Sequence, residues 1–407
     1  MLRAFKSRNY RLYFIGQGIS LIGTWMQQIA LSWLVYRLTR SAFMLGVVGF
    51  ASQIPMMILT PITGVLADRW NRYRIMIINQ ILEMGLALIL AVLIFTNRIS
   101  IWPIVFVGLI LGVVNALDAP TRHAFVVQLV DRRQDLANAI ALNSAMFNGA
   151  RLIGPSIAGI LISLTGEGIC FLLNAVSFLA VIAALLAMKI EPRKKKGPPN
   201  KGHIGRELIE GFQYTFHHQE IRLIILYYAW VALMGMSVIV LMPILADKIL
   251  NGGAHGLGFL MGAMGIGAMV GAFGLAARPS TRGLRRLIGV SSTIFGLALI
   301  LLAASRQFAV SLGLMVFIGL GMVSQMTASN TFLQTVVDDD KRARVMAFYL
   351  LAFFGTMPLG NLLAGSVASK LGVPTTILLA GLSVLAGSIF FSLRFSRLKR
   401  GKKRLTP

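Results

Sequence analysis

The chain has 407 residues, 56% of them hydrophobic and 13% charged, where an ordinary soluble domain carries about 25% charge, so a soluble globule is excluded. Its apolar runs are continuous over about 20 residues, which also excludes an outer-membrane barrel with strands of about 10 alternating residues. The net charge of +25 lies between the apolar runs and not on a soluble basic face, which argues against nucleic acid as a partner.

Met1 to Arg11 is basic and leads into no short apolar core with a small-residue cleavage site, so no removable signal peptide is expected. Twelve apolar segments follow, at 11–36, 43–67, 75–96, 101–119, 138–163, 168–188, 222–246, 256–277, 286–304, 309–334, 344–367 and 374–393. Each approaches the length of about 20 residues that spans hydrocarbon. They predict an all-α membrane protein with twelve transmembrane helices. Its expected parts are an N-terminal six-helix bundle over 1–188, a basic linker with an amphipathic helix over 189–221, a second six-helix bundle over 222–393 and a basic tail over 394–407. Placing both termini in the cytoplasm puts 32 of the 39 Lys and Arg on that side and six outside, as cytoplasmic loops require. A multi-pass protein of the cell (inner) membrane is therefore expected, with the lipid bilayer around it. Cys170 lies within an apolar segment and has no second cysteine to pair with.

The first segment carries Gln17, Ser20, Thr24, Gln27, Gln28 and Ser32 at helical steps. Polar groups facing lipid are costly, so this stripe is expected to face a wet cavity or a partner helix. Between the second and third segments stands Gly64-Val-Leu-Ala-Asp68-Arg69-Trp-Asn71-Arg72-Tyr-Arg74. Gly64 permits close helix approach, and Asp68 among its arginines can hold a charge-assisted contact that breaks when two halves rock. An ordinary loop ion pair is the plainer account. Asn71 tolerates a left-handed turn.

Glu83 and Arg151 are ionisable deep in their segments, with Asp118 nearer one face, and an intramembrane charge is a functional hypothesis by default. Glu83 also fits a structural partner of Asn79 or Gln80, and Asp118 a local pair with Arg122 one turn on. Arg151 fits a ligand for an anionic solute or a neutraliser of a carboxylate. The fifth segment contains Gly149-Ala-Arg151-Leu-Ile-Gly154-Pro155-Ser-Ile-Ala-Gly159, in which Pro155 removes a helix hydrogen bond and the three glycines are expected to open a close-packed face.

The linker holds Arg193-Lys-Lys-Lys196, then Ile204, Leu208, Phe212 and Phe216 at four-residue spacing, a pattern for a helix on a membrane surface. Gly154 to Gly166 repeats as Gly360 to Gly372 at an offset of 206 residues, with five of thirteen positions identical. Two joined six-helix halves are a transporter architecture.

The Gly-x-Leu-Ala-Asp-Arg loop, the twelve segments and the repeat together resemble the major facilitator superfamily. Asp118-Ala-Pro-Thr-Arg122-His-Ala-Phe and the Gly23 to Met26 run are similar to its bacterial drug, macrolide and siderophore exporters, and the fifth-segment glycines and Pro155 to its exporter motif, although Ile160 replaces a second terminal glycine. The resemblance implies a conformational latch at Gly64, Asp68, Arg69, Arg72 and Arg122, reaching the helix start near Arg344. It also implies a cavity lined by the first, fourth, seventh and tenth helices. The candidates there are Gln17, Thr24, Gln28, Asn115, Tyr227, Trp230, Ser237, Gln325, Thr327 and Asn330, with methionines nearby that suit a bulky organic solute.

The five histidines fall in loops or at segment ends, and no phosphate-binding Gly-x-x-x-x-Gly-Lys exists, so no catalytic residue, metal or cofactor is expected. With no histidine deep in a segment, the carboxylates Asp118 and Glu83 are the candidates for proton coupling. The function expected is export of small lipophilic organic compounds by alternating access in exchange for protons, by a monomer. Export of a siderophore or similar secreted natural product is the alternative, and a non-transporting membrane scaffold or regulator the alternative of another class.

Overall fold

In hydrocarbon an amide has no water to bond, so each apolar segment must satisfy its own backbone, and a helix does so. The computed structural model describes residues 3–69, 71–130, 132–189, 204–278, 280–339 and 341–405. The first half comprises α1 (Arg8–Thr39), α2 (Ala42–Arg69), α3 (Arg72–Phe95), α4 (Ile101–Val126), α5 (Leu136–Thr165) and α6 (Glu167–Ala187). The linker helix α7 (Ile204–His217) leads to α8 (Gln219–Met234), α9 (Gly253–Ala276), α10 (Leu284–Ala304), α11 (Phe308–Val336), α12 (Arg342–Leu371) and α13 (Val373–Leu405).

Eleven segments are long and apolar enough to cross a membrane by length and composition, one of them being the run Gln219–Ile249. That run continues α8 through a 3-10 stretch at Met236–Leu241 and a π turn at Leu245–Ile249. Pro243 lies within it and has no amide proton to give, so regular helix geometry is interrupted there. α1 is the twelfth spanning helix; its 32 residues suffice in length, and its glutamines and hydroxyls lower its hydropathy.

The two halves repeat one pairing pattern. α1 packs on α5 and α6, α2 on α4, and α3 on α4 and α6; correspondingly α8 packs on α12 and α13, α9 on α11, and α10 on α11 and α13. The halves meet along two equivalent seams, α5 with α9 and α12 with α2. Gly166 and Gly372, equivalent in the repeat, end α5 and α12 with φ of +82° and +84°. Each donates its amide to the carbonyl four residues back, Ile162 and Ala368, at 3.0 Å. That backbone conformation favours glycine at both places.

Asn71 takes an extended conformation, φ −72° and ψ 107°, and its side chain accepts from the amides of Tyr73 and Arg74. The expected left-handed turn is thus corrected: Asn71 caps α3, satisfying amides that a helix start leaves open. α7 rests on α12 through its small residues, with Gly211 against Arg344 and Phe348. A Glu210–Arg344 ion pair of 2.8 Å and a hydrogen bond from Tyr214 Oη to Asp338 of 3.0 Å hold it there. Ile209 is exposed, and Phe212, half exposed, meets Phe348 of α12 edge to face at 6.0 Å, consistent with a helix that has both a protein face and a lipid face.

Candidate functional site

The seams are built by glycine. A Cβ on Gly159 of α5 would lie 2.8 Å from Gly258 Cα of α9, and one on Gly365 of α12 would lie 2.8 Å from Gly46 Cα of α2. Gly159 and Gly365 are repeat equivalents, and each meets a glycine of the other half backbone to backbone. Such contacts let backbones touch without large interlocking side chains, which suits surfaces that slide.

Both seams close at the end away from the basic loops, and there a polar cluster ties the halves. Tyr36 Oη donates to Asp247 Oδ2 at 2.5 Å. Arg40 donates to the same oxygen at 2.9 Å and to Tyr36 Oη at 3.0 Å. Arg40 ends α1 with φ of +50°, a conformation uncommon for a residue with a side chain and often associated with function. Asp247 sits on the π turn. Arg37 pairs with the buried Glu167 of α6 at 2.8 Å within the first half, steadying the same end.

Near the basic end of the first half, α3 and α4 bring charges together. Asp118 is 3% exposed and pairs with Arg122 at 3.4 Å, while its Oδ1 is buried without a hydrogen-bond partner among the described residues. Glu83, also buried, lies within electrostatic reach of both Asp118 and Arg122, and Tyr13 of α1 within reach of Arg122. Two carboxylates therefore share one arginine. Asn79 Nδ2 has no hydrogen-bond partner among the described residues, so this donor does not secure Glu83 along its own helix.

The exporter-type motif on α5 does not present one face. Gly149 has nothing within 4 Å of a built Cβ, Gly154 faces Trp25 and Ile22 of α1, and Gly159 faces α9. The reason is geometric: five residues advance a helix by about 140° beyond one full turn, so glycines at that spacing point three ways. Pro155 lends its carbonyl oxygen to the seam, 2.6 Å from where a Cβ on Gly258 would stand. Arg151 lies with its guanidinium carbon 5.5 Å from the ring centre of Trp25, and Trp25 meets Phe147 edge to face at 5.6 Å. Arg151 Nε is buried without a partner, and no carboxylate pairs with this arginine among the described residues. Trp25 falls within the Gly23 to Met26 run, but nothing local in the sequence marks its contact with Arg151, or that of Phe147 with Trp25.

The polar stripe of α1 divides. Gln27 accepts from Asn174 of α6 at 2.7 Å and Gln17 is buried with Oε1 unpartnered among the described residues, whereas Thr24 and Gln28 are exposed. Asn115, Thr327 and Asn330 are half-buried; Asn330 accepts from Gln334 and Gln325 is fully buried. The cavity placement of three candidates is corrected. Tyr227 stacks on Phe391 of α13 at 4.6 Å, Trp230 donates to the Ser383 carbonyl of α13 at 3.2 Å, and Ser237 is buried against Gly360 of α12. Tyr227 and Trp230, three residues apart on the regular part of α8, share the face turned to α13, and Ser237 lies on the 3-10 stretch that follows. The side chains of Gly64, Asp68 and Arg69 lie outside the described residues; Arg72 opens α3, Arg122 faces Asp118 and Arg344 faces Glu210.

The transmembrane secretion effector family model matches residues 2–405. The chain is 26% identical to a staphyloferrin A transporter of Staphylococcus aureus, over 94% of this chain and 95% of that one. It is 22% identical to macrolide efflux protein A of Streptococcus pyogenes, over 94% and 96%. In fold it is similar to a bacterial homologue of the lysosomal transporter Spinster, solved inward-facing and unoccupied, with a TM-score of 0.72, 15% identity, and 97% and 96% of the two chains covered. Twelve spanning helices in two matching halves, joined along glycine seams and matched end to end by that family model, place this chain in the transmembrane secretion effector family of the major facilitator superfamily, as a membrane transporter and not an enzyme.

Proposed function

We propose that the protein exports lipophilic organic compounds by alternating access in exchange for protons, as a monomer with both termini cytoplasmic. The observation that carries this reading is the pair of equivalent glycine seams with a breakable tie, Tyr36–Arg40–Asp247, at the end away from the basic loops. Rocking the halves about such seams exposes a central site first to one side and then to the other. The cytoplasmic assignment of the basic end follows from its share of Lys and Arg, and efflux as the direction draws on the likeness to macrolide efflux protein A.

Within this reading, Thr24, Gln28, Asn115, Thr327 and Asn330 supply polar contacts, and Trp25 and Phe147 supply flat apolar surface. Arg151 receives an anionic group, since a half-buried guanidinium with no carboxylate beside it among the described residues leaves its charge uncompensated until one arrives. Asp118 carries the proton, with Glu83 and Arg122 setting its charge balance. Asp68 with Arg69, Arg72 and Arg122 forms the latch at the cytoplasmic end. The likeness to a staphyloferrin A transporter supports a second reading, in which the cargo is a siderophore or similar secreted natural product; Arg151 would suit an acidic one. Cells with and without the protein, loaded with dyes, macrolides and siderophores, with and without an uncoupler, decide between them. Uncoupler-sensitive loss of a compound supports proton-driven export and its identity names the class; no protein-dependent loss of any compound would leave the scaffold reading.

A further inference from the structure

At the basic end of the second half, α10, α11 and α13 enclose a cavity of about 890 Å³, within the range of about 300 to 1,000 Å³ common for ligand sites. It is separate from the seams and from the charged cluster around Asp118. Among its lining residues the buried Phe332, Phe391 and Phe395 form an aromatic floor and the exposed Arg282 and Arg286 its mouth, with Arg285 over the rings. Thr335, Ser392 and Ser396 also line it; Thr335 and Ser396 donate to the carbonyls of Phe332 and Ser392.

The three arginines are not equivalent. Arg285 is committed to the protein: it pairs with Glu220 of α8 at 2.9 Å and lies 5.2 Å and 4.8 Å from the ring centres of Phe332 and Phe395. Arg282 and Arg286 are exposed and make no ion pair among the described residues. No acidic residue lies in the first turn of α10, so nothing in that helix start offsets their charge. One side of the rim is apolar, with Val290 47% and Val336 44% exposed on helices of membrane-spanning length.

We propose that this cavity binds the headgroup of an anionic phospholipid, from the leaflet at the basic end of the molecule. Two uncompensated guanidiniums and the Ser392 hydroxyl match a phosphodiester, and the aromatic floor takes the glycerol backbone. The exposed Val290 and Val336 lead the acyl chains back into the bilayer. A basic pocket between spanning helices is the arrangement by which a membrane protein selects a charged headgroup over a zwitterionic one. A small free anion would use the arginines but leave the floor and rim unoccupied.

Native mass spectrometry of the full-length protein in detergent tests this, with dioleoylphosphatidylglycerol, dioleoylphosphatidylcholine and inorganic phosphate as probes. Phosphatidylglycerol is expected to bind more tightly than phosphatidylcholine. R282Q/R286Q is expected to weaken phosphatidylglycerol by about fivefold for each arginine and to leave phosphatidylcholine unchanged. Both residues are exposed, so the variant keeps its fold. R8Q/R11Q, which removes two exposed charges from the same end of the first half, is expected to change neither lipid. Equal binding of the two lipids overturns the proposal, as does an equal loss in R8Q/R11Q. Displacement of the lipid by inorganic phosphate at matched concentration overturns it in favour of a free-anion site.

Discussion

Gly159 and Gly258 meet backbone to backbone: a Cβ on either would lie within 2.8 Å of the other's Cα. No side chain fits at that point while the seam is closed. The contact belongs to the state in which the far end is shut, so a residue added there acts on the balance between states as well as on packing.

Gly159→Leu should therefore abolish transport while the protein still inserts. Overpacking costs about 1 to 3 kcal/mol, enough to depopulate the closed seam. Gly149→Leu, at a position with nothing within 4 Å of a built Cβ, should transport normally. Efflux normalised to surface expression compares the two, and equal activity would show that the seam does not close in the cycle.

The Tyr36–Arg40–Asp247 cluster predicts a state-dependent opening. Asp247→Asn removes the acceptor charge shared by both donors, and Tyr36→Phe removes one donor. Each should raise the labelling rate of a cysteine placed at Ala254, which is buried at that end, in a Cys170→Ser background. Asp247→Asn should have the larger effect, because two donors converge on its carboxylate. Unchanged labelling in both would mean that the glycine seam alone holds the end shut.

Asp118→Asn should abolish uphill efflux yet permit downhill exchange, because the variant cannot release and rebind a proton. Its unpartnered Oδ1 and the nearby Glu83 make the two carboxylates one unit, so Glu83→Gln should impair uphill efflux too. Counterflow in proteoliposomes with an imposed pH gradient measures both arms. Uphill efflux persisting in Asp118→Asn and lost only in Glu83→Gln would assign the proton to Glu83.

Arg151→Gln should raise the KM for an acidic substrate by about tenfold or more, since a charge-assisted contact contributes about 1.5 to 3 kcal/mol. A neutral substrate should be affected far less. Arg151→Lys should restore little, because an ammonium lacks the planar guanidinium that lies over Trp25. Equal losses for acidic and neutral substrates would make Arg151 a packing residue.

The number of spanning helices, their division into halves and the repeated glycines were legible in the sequence, because each rests on a local property. A membrane-length apolar run must be helical, and a glycine kept at an offset of 206 residues, as at 166 and 372, marks the same backbone need twice. The direction in which each residue points was decided only by the tertiary structure. Gly149, Gly154 and Gly159 read as one motif yet face open space, α1 and α9. Tyr227 and Trp230 lie on a helix expected to line the cavity yet are held by α13. Tyr36 and Asp247 are 211 residues apart, and Glu83 sits one helix away from Asp118. Hydropathy and spacing report what a segment must do within itself. Partnership across the bundle depends on helix rotation and crossing, where a shift of one residue turns a side chain by about 100°, and only packing against the other helices sets that angle.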